Sequence, residues 1–204
     1  MSDLKLALTY LRARPLITML TIASVALGLG LATIVLMLSQ QTQAMLSNET
    51  AYWDVVVGAK GSPLQLVLNS LYYLDAPTGN IDVAVQQRLQ RDPMVARVVP
   101  LTMGDNYFGW PIVGTVPSFF DGRQPMRGSH LLASGRLFAK PFETVVGAQV
   151  AASNHLTLGA LMIGAHGWGK SNDLHPQFPY TVVGVLAPTG TNLDRAVYTD
   201  FHST

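Results

Sequence analysis

The chain contains no cysteine. That removes disulfide staples, thiolate metal sites and cysteine nucleophiles together, and it is compatible with a periplasmic setting without demanding one. Charge is scarce as well: 12% of the residues are Asp, Glu, Lys or Arg. Beyond residue 48, ten Lys and Arg stand against eleven Asp and Glu. The basic footprint of a nucleic-acid binder is therefore absent. There is no HExxH to pair two histidines on a helix, no full GxxxxGK(S/T) to cradle a phosphate, and no GxSxG elbow. Internal repeats and low-complexity runs are missing too.

What the chain has in excess is one uncharged stretch. From Pro15 to Asn48, 34 residues pass without a charge, and the apolar heart Leu16–Leu38 is 23 residues long. At about 1.5 Å rise per residue this gives roughly 35 Å of helix, enough to cross a hydrocarbon core of about 30 Å with some tilt. The expectation is a membrane span over 16–39, after a segment 1–15 and before an outer region 40–204. Lys5, Arg12 and Arg14 precede the span, and no basic residue follows it until Lys60. The excess of positive charge places the N-terminus in the cytoplasm and 40–204 on the far side. A cleaved signal peptide is the weaker reading, because its apolar region typically runs to about 7–15 residues. Leu4, Leu8 and Leu11 stand at helical spacing, so 3–14 reads as an amphipathic segment along the lipid interface; a plain basic flank is the alternative.

Within the span Ser24, Gly28 and Ala32 recur every fourth residue. Small residues at that interval let another helix backbone come close. No second stretch reaches spanning length, since the apolar run Leu64–Leu74 has 11 residues. The helical partners of this face are thus expected in other parts of an assembly.

The outer region, about 150 residues, is large enough for one domain with a core or two small lobes. Asp54–Gly58 (DVVVG) predicts a short strand. Lys60 and Gly61 form a loop, and Ser62 with Pro63 predicts a helix N-cap and first position, the helix running to about Leu74. A second helix is predicted from near Asn80 to before Pro93, burying Ile81, Val85 and Leu89. Strands are predicted over Ala96–Thr102, Trp110–Val116, Thr144–Val146, Ala160–Gly164, Tyr180–Leu186 and Arg195–Thr199, with a short helix at Ala148–His155. Thr189-Gly190-Thr191 with Asp194 and Arg195 reads as a tight turn that positions the last strand. The class is α+β.

Catalytic chemistry does not rise above background. His166 and His175, with Asp173 between them, lie in a polar glycine-rich loop and offer zinc-ligand chemistry. Their spacing fits no helical two-histidine pattern, so a solvated loop without metal is the expectation. Gly58-Ala59-Lys60-Gly61-Ser62 resembles only the tail of a phosphate loop and is read as a structural turn. No catalytic, cofactor or metal residue is assigned.

Several segments together resemble the permease subunits of MacB/FtsX-like ABC transporters. Leu6-Ala7-Leu8-Thr9-Tyr10-Leu11-Arg12-Ala13-Arg14 and the run LITMLTIASVALGLG are similar to an entry helix and first span. Trp53-Asp54-Val55-Val56-Val57-Gly58-Ala59-Lys60-Gly61-Ser62-Pro63-Leu64-Gln65 looks like the opening of a distinct bacterial branch. Val146-Gly147-Ala148-Gln149-Val150-Ala151, followed by Leu156 and Leu158-Gly159, is similar to one further family segment. Val182-Val183-Gly184-Val185-Leu186 with Pro188-Thr189-Gly190-Thr191 and Asp194-Arg195-Ala196 is similar to another.

The resemblance implies a MacB-type periplasmic core domain with a porter-like lobe and a second lobe, in a bacterial inner-membrane protein with 40–204 in the periplasm. It implies a mechanical role in which a cytoplasmic ABC ATPase, holding ATP and Mg, drives periplasmic motion. The implied partners are that ATPase, a second permease copy, membrane lipid and a periplasmic accessory protein; the chain itself is not expected to be an enzyme. Members of the family add three more spans after this domain, so a fragment, a split gene product or a truncated form is expected. A single-span tethered adaptor is the alternative, and a tethered metal-dependent hydrolase a third reading.

Overall fold

The computed structural model describes residues 9, 11–50, 52–128, 130–167 and 173–204, and for 44–50 the backbone alone. Most of the amphipathic segment 3–14 lies outside the described residues. Two units result, Met1–Ser47 and Asn48–Thr204.

The described residues of the first unit are helical. Helix α1 runs Pro15–Thr50 and continues past the expected membrane span 16–39. The extension follows from composition: Gln40, Gln41, Gln43, Ala44, Met45 and Leu46 are good helix formers, with no Gly or Pro among them to stop the helix. Its part Pro15–Gln43 is long and apolar enough to cross a membrane, and none of its side chains is buried. Four threonine hydroxyls turn inward on their own helix. Thr18, Thr21, Thr33 and Thr42 donate to the carbonyls of Arg14, Ile17, Leu29 and Leu38 at 2.8–2.9 Å. In hydrocarbon an unpaired hydroxyl is costly, so this back-bonding keeps the polar positions compatible with lipid.

In the second unit, helix α2 (Pro63–Tyr72) starts at the predicted cap, where the Ser62 side chain accepts from the Gln65 amide and Pro63 occupies the first turn. It ends on Tyr73, which takes the left-handed conformation (φ 55°). Helix α3 (Val83–Arg91) is capped by Asp82. Its expected buried face is only half-buried at Val85 and Leu89, and Ile81 is exposed. The reason is its company: α3 makes no extensive contact with any other element.

Eight strands form one mixed sheet: β1 (Thr102–Tyr107), β2 (Trp110–Thr115), β3 (Leu132–Gly135), β4 (Glu143–Val146), β5 (Leu161–Met162), β6 (Ala165–His166), β7 (Tyr180–Leu186) and β8 (Val197–Asp200). A seven-residue helix α4 (Ala148–Asn154) follows β4. The spatial order is β3-β7-β4-β8-β2-β1-β6, with β5 also on β7. The pairs β4–β7 and β2–β8 are parallel and the others antiparallel. One sheet therefore threads the whole unit, and any porter-like lobe shares it with its neighbour.

The expected strand at Asp54–Gly58 is corrected. Its valines have β propensity, but the segment has no strand partner among the described residues, and Val55 and Val57 are exposed. The strand expected at Ala96–Thr102 is shifted to Thr102–Tyr107. This polar run (TMGDNY) is held by its hairpin partner β2 through a two-residue turn, Phe108-Gly109, both with positive φ. β3 and β6 went unpredicted, being four and two residues long.

The core on one side of the sheet is built from Val113, Phe119, Phe120, Phe138, Val145, Leu186, Leu193 and Tyr198; on the other side stand Ile112, Val146, Val150, Met162, Tyr180 and Val182. Along β7, Tyr180, Val182, Gly184 and Leu186 are buried, and the shift in its register with β4 between Val182 and Gly184 lets Leu186 join the first cluster while Tyr180 and Val182 join the second. Gly184 is required where it stands, since a Cβ there would run into the Arg136 carbonyl.

The connection from β3 to β4 is closed by an ion pair. Arg136 Nη1 donates to Glu143 Oε2 at 2.7 Å and Nη2 donates to Oε1, while the Ala139 amide donates to Oε2 at 2.8 Å. Arg136, then the Ala139 amide, hold the Glu143 carboxyl at about 2, below its usual value. A lowered folded-state value contributes stability that is present above the ordinary glutamate range and is lost as pH falls toward 2. With the Arg136 side chain 54% exposed, solvent screens the pair and its effect is small. Glu143→Gln is expected to remove the part of the melting-temperature loss that wild type shows between pH 5 and pH 2.5. An identical acid limb in the variant would show that the pair does not act in this way.

Candidate functional site

Three features of the chain are candidates for function: the small-residue face of α1, the anchor that follows it in sequence, and the turn before β8. Ser24, Gly28 and Ala32 are all exposed on α1, and a Cβ built on Gly28 meets nothing within 4 Å. The face is open for a neighbouring helix.

Directly after α1 in sequence, Tyr52 and Trp53 join a stack of rings and guanidinium groups. The Arg123 guanidinium lies 4.6 Å from the Tyr52 ring centre, 5.7 Å from Trp53 and 4.5 Å from Phe119. Trp53 stacks on Phe119 (5.8 Å), and Phe119 on Tyr198 (5.5 Å). Arg97 covers Trp53 at 5.5 Å and donates to the Ser118 carbonyl at 3.1 Å. Arg123 is buried and donates through Nε to the Phe119 carbonyl at 3.2 Å. A desolvated cation on an aromatic face contributes about 2 kcal/mol, so the residues that follow the helix are clamped to the sheet core. Of these residues, only Trp53 stood in a segment that the sequence singled out; the two arginines lie 44 and 70 positions beyond it.

Lys60 and Gly61 form the exposed loop before α2, with Pro63 in its first turn. A Cβ on Gly61 would make ordinary contact with Thr78 at 3.6 Å, so glycine is not required there.

The turn before β8 is the most heavily bonded segment. The Asp194 carboxylate accepts from the Thr189 amide (2.9 and 3.1 Å), the Thr189 hydroxyl (2.8 Å) and the Gly190 amide (2.9 Å). Gly190 has φ +68°, the left-handed region that glycine occupies without strain. Thr191 caps the single 3-10 turn Asn192–Arg195 by accepting from the Leu193 amide, and Arg195 is exposed. Asn192 Nδ2 donates to the Leu71 carbonyl of α2 at 3.3 Å. Gly147, between β4 and α4, packs on this turn: its amide donates to the Ala196 carbonyl at 2.9 Å, and a Cβ there would strike the Leu193 and Asp194 backbone. The two segments quoted above for their family likeness thus form one knot.

His166 and His175 are brought together, but with Asp105 of β1 rather than with Asp173. Their ligand atoms all lie within 4.8 Å of one another, and His166 Nδ1 is 3.1 Å from Asp105 Oδ1. Spacing along the chain gave no signal for Asp105, which is 61 residues away.

An apolar helix of spanning length followed by a mixed α/β unit is the arrangement of a membrane-anchored protein. The particular family follows from the sequence profile of the MacB-like periplasmic core domain, which matches residues 18–204; the chain belongs to that family, and through it to the MacB/FtsX type of ABC transporter. Among solved structures, the crystal structure of the periplasmic region of MacB from Actinobacillus actinomycetemcomitans is similar at 15% identity and a TM-score of 0.41. The similarity covers 61% of this chain and 56% of that one, so the chain spans about half of that relative. No curated protein matches the chain.

Proposed function

We propose that the chain is the membrane subunit of an ATP-driven transporter of the MacB/FtsX type, working by mechanical coupling in export or extraction of a substrate. The observation that carries this reading is the extent of the family match. It begins at residue 18, inside the apolar helix, so span and outer domain belong to one inherited unit. In this reading the N-terminus is cytoplasmic and residues 40–204 are periplasmic, at a bacterial inner membrane. ATP and Mg are held by a separate cytoplasmic ABC ATPase, and this chain performs no bond chemistry. A second copy of the permease and a periplasmic accessory protein complete the assembly, with lipid around α1.

The mechanical path runs along the chain. A shift of α1 pulls on Tyr52 and Trp53, and the Arg97 and Arg123 clamps pass that pull into the sheet. Gly28 and Ser24 seat α1 against a neighbouring helix. Purification of the protein from its native membranes is expected to bring down a nucleotide-hydrolysing subunit, and Gly28→Leu to lose most of that recovery. A wild-type preparation without any nucleotide hydrolase would overturn the transporter reading. Full recovery with Gly28→Leu would overturn the packing role of this face.

A further inference from the structure

We propose that Asp105, His166 and His175 form a zinc-binding site at the β6 edge of the sheet. Three chain segments build it. Asp105 on β1 stands directly opposite His166 on β6 in the antiparallel register. The chain then returns beside β6: the His166 amide donates to the Asp173 carbonyl at 2.8 Å, Ala165 bridges Leu174, and the His175 amide donates to the Gly164 carbonyl at 3.0 Å. This return sets the His175 ring 5.8 Å from the His166 ring.

The donor set suits zinc. Two imidazoles and one carboxylate, with a fourth position left to water, is a recurrent zinc arrangement with Zn–N and Zn–O distances of about 2.0–2.2 Å. Ligand atoms on a tetrahedron of that radius stand roughly 3.3 Å apart, close to the 3.1 Å between His166 Nδ1 and Asp105 Oδ1. The third donor lies within 4.8 Å of both, a distance closed by rotating a side chain. His166 is exposed and admits the ion from solvent, whereas the Asp105 side chain is only 15% exposed and His175 half-buried. The buried Tyr180 hydroxyl donates to the Ser203 carbonyl at 2.9 Å.

A plain His–carboxylate contact is the competing explanation, and the chain holds its own control. His202 Nδ1 lies 2.8 Å from Asp200 Oδ1, but no third ligand atom joins that pair among the described residues. The ion's effect follows from position. β6 is an edge strand held to β1 by two residue pairs, and a metal shared by both strands and the returning segment ties that edge down.

The test uses the untagged full chain in detergent, stripped with a chelator and titrated with Zn²⁺ by calorimetry and with Co²⁺ by visible absorption. One equivalent of Zn²⁺ is expected to bind and to raise the melting temperature, and Co²⁺ to give the absorption bands of a four-coordinate site. Asp105→Asn, His166→Ala and His175→Ala should each weaken binding at least tenfold, and His202→Ala should not. Absence of stoichiometric binding and of the Co²⁺ bands in wild type overturns the site even if a variant fails to fold. Equal affinity in folded variants and wild type overturns it as well.

Discussion

Gly147→Ala is expected to lower the melting temperature of the outer domain by about 10 °C. The backbone at Gly147 is ordinary (φ −62°, ψ 151°), so alanine suffers no conformational penalty of its own. The cost is steric. A Cβ would overlap the Leu193 carbonyl and reach 2.5 Å from Asp194 backbone atoms, which no rotamer change relieves. Either β4 and α4 move away from the turn or the turn moves away from β8. Each movement disturbs neighbours that are fully buried, including Val146, Val150, Ala196 and Val197. Overpacking of this kind costs about 3 kcal/mol, which for a domain of this size corresponds to roughly 6–12 °C. Gly104→Ala is the matched control. A Cβ there meets nothing within 4 Å and φ is not positive, so its effect is expected within about 0.5 kcal/mol. Thermal unfolding of both variants in the full chain measures the contrast. Equal melting temperatures would mean that the close approach at Gly147 is not a constraint.

The knot around Gly147 also shows what the sequence could and could not reveal. Strand β7 was legible because YTVVGVL carries β-branched residues, and β8, β4 and α4 were legible within two residues. Those elements are locally consistent, with propensity, cap and pattern agreeing. β1 was not legible, since its TMGDNY run has almost no apolar signal, and its pairing comes from β2 and a turn with two positive φ values. Asp54–Gly58 failed the other way, with three valines and no strand among the described residues to receive them. Propensity describes a residue's fit to a sheet, not the presence of a neighbour.

The candidate sites divide along the same line. Ser62, Pro63, Gly190 and Asp194 act over a few residues, and their local geometry could be anticipated from the order of residues. The Arg123 clamp on Tyr52 and Trp53, and the meeting of Asp105 with His166 and His175, join residues some 60 to 70 positions apart. Such contacts are decided by strand order, which no local pattern encodes. The family likeness supplied the class without supplying these contacts.

Asp194→Ala is expected to cost about 3 kcal/mol and to loosen the entry to β8. Three donors converge on that carboxylate: two backbone amides and one hydroxyl, all between 2.8 and 3.1 Å. Hydrogen bonds to a charged acceptor contribute about 1.5–3 kcal/mol each. Asp194 is half-buried, so water takes over part of the lost bonding and the sum is not realised. What remains falls on Thr189, which is buried and would keep an amide without its acceptor. Asp194→Asn retains one carbonyl oxygen and should lose about half as much. Because Thr189 Oγ1 donates to Asp194 Oδ1, Thr189→Val and Asp194→Ala should not be additive, with a coupling of about 1 kcal/mol in a double-mutant cycle. Denaturant unfolding of the four proteins gives that coupling directly. Strict additivity would mean that the carboxylate works through the Thr189 and Gly190 amides alone. A nearly neutral Asp194→Ala would mean that Gly147 and Leu193 hold the turn without it.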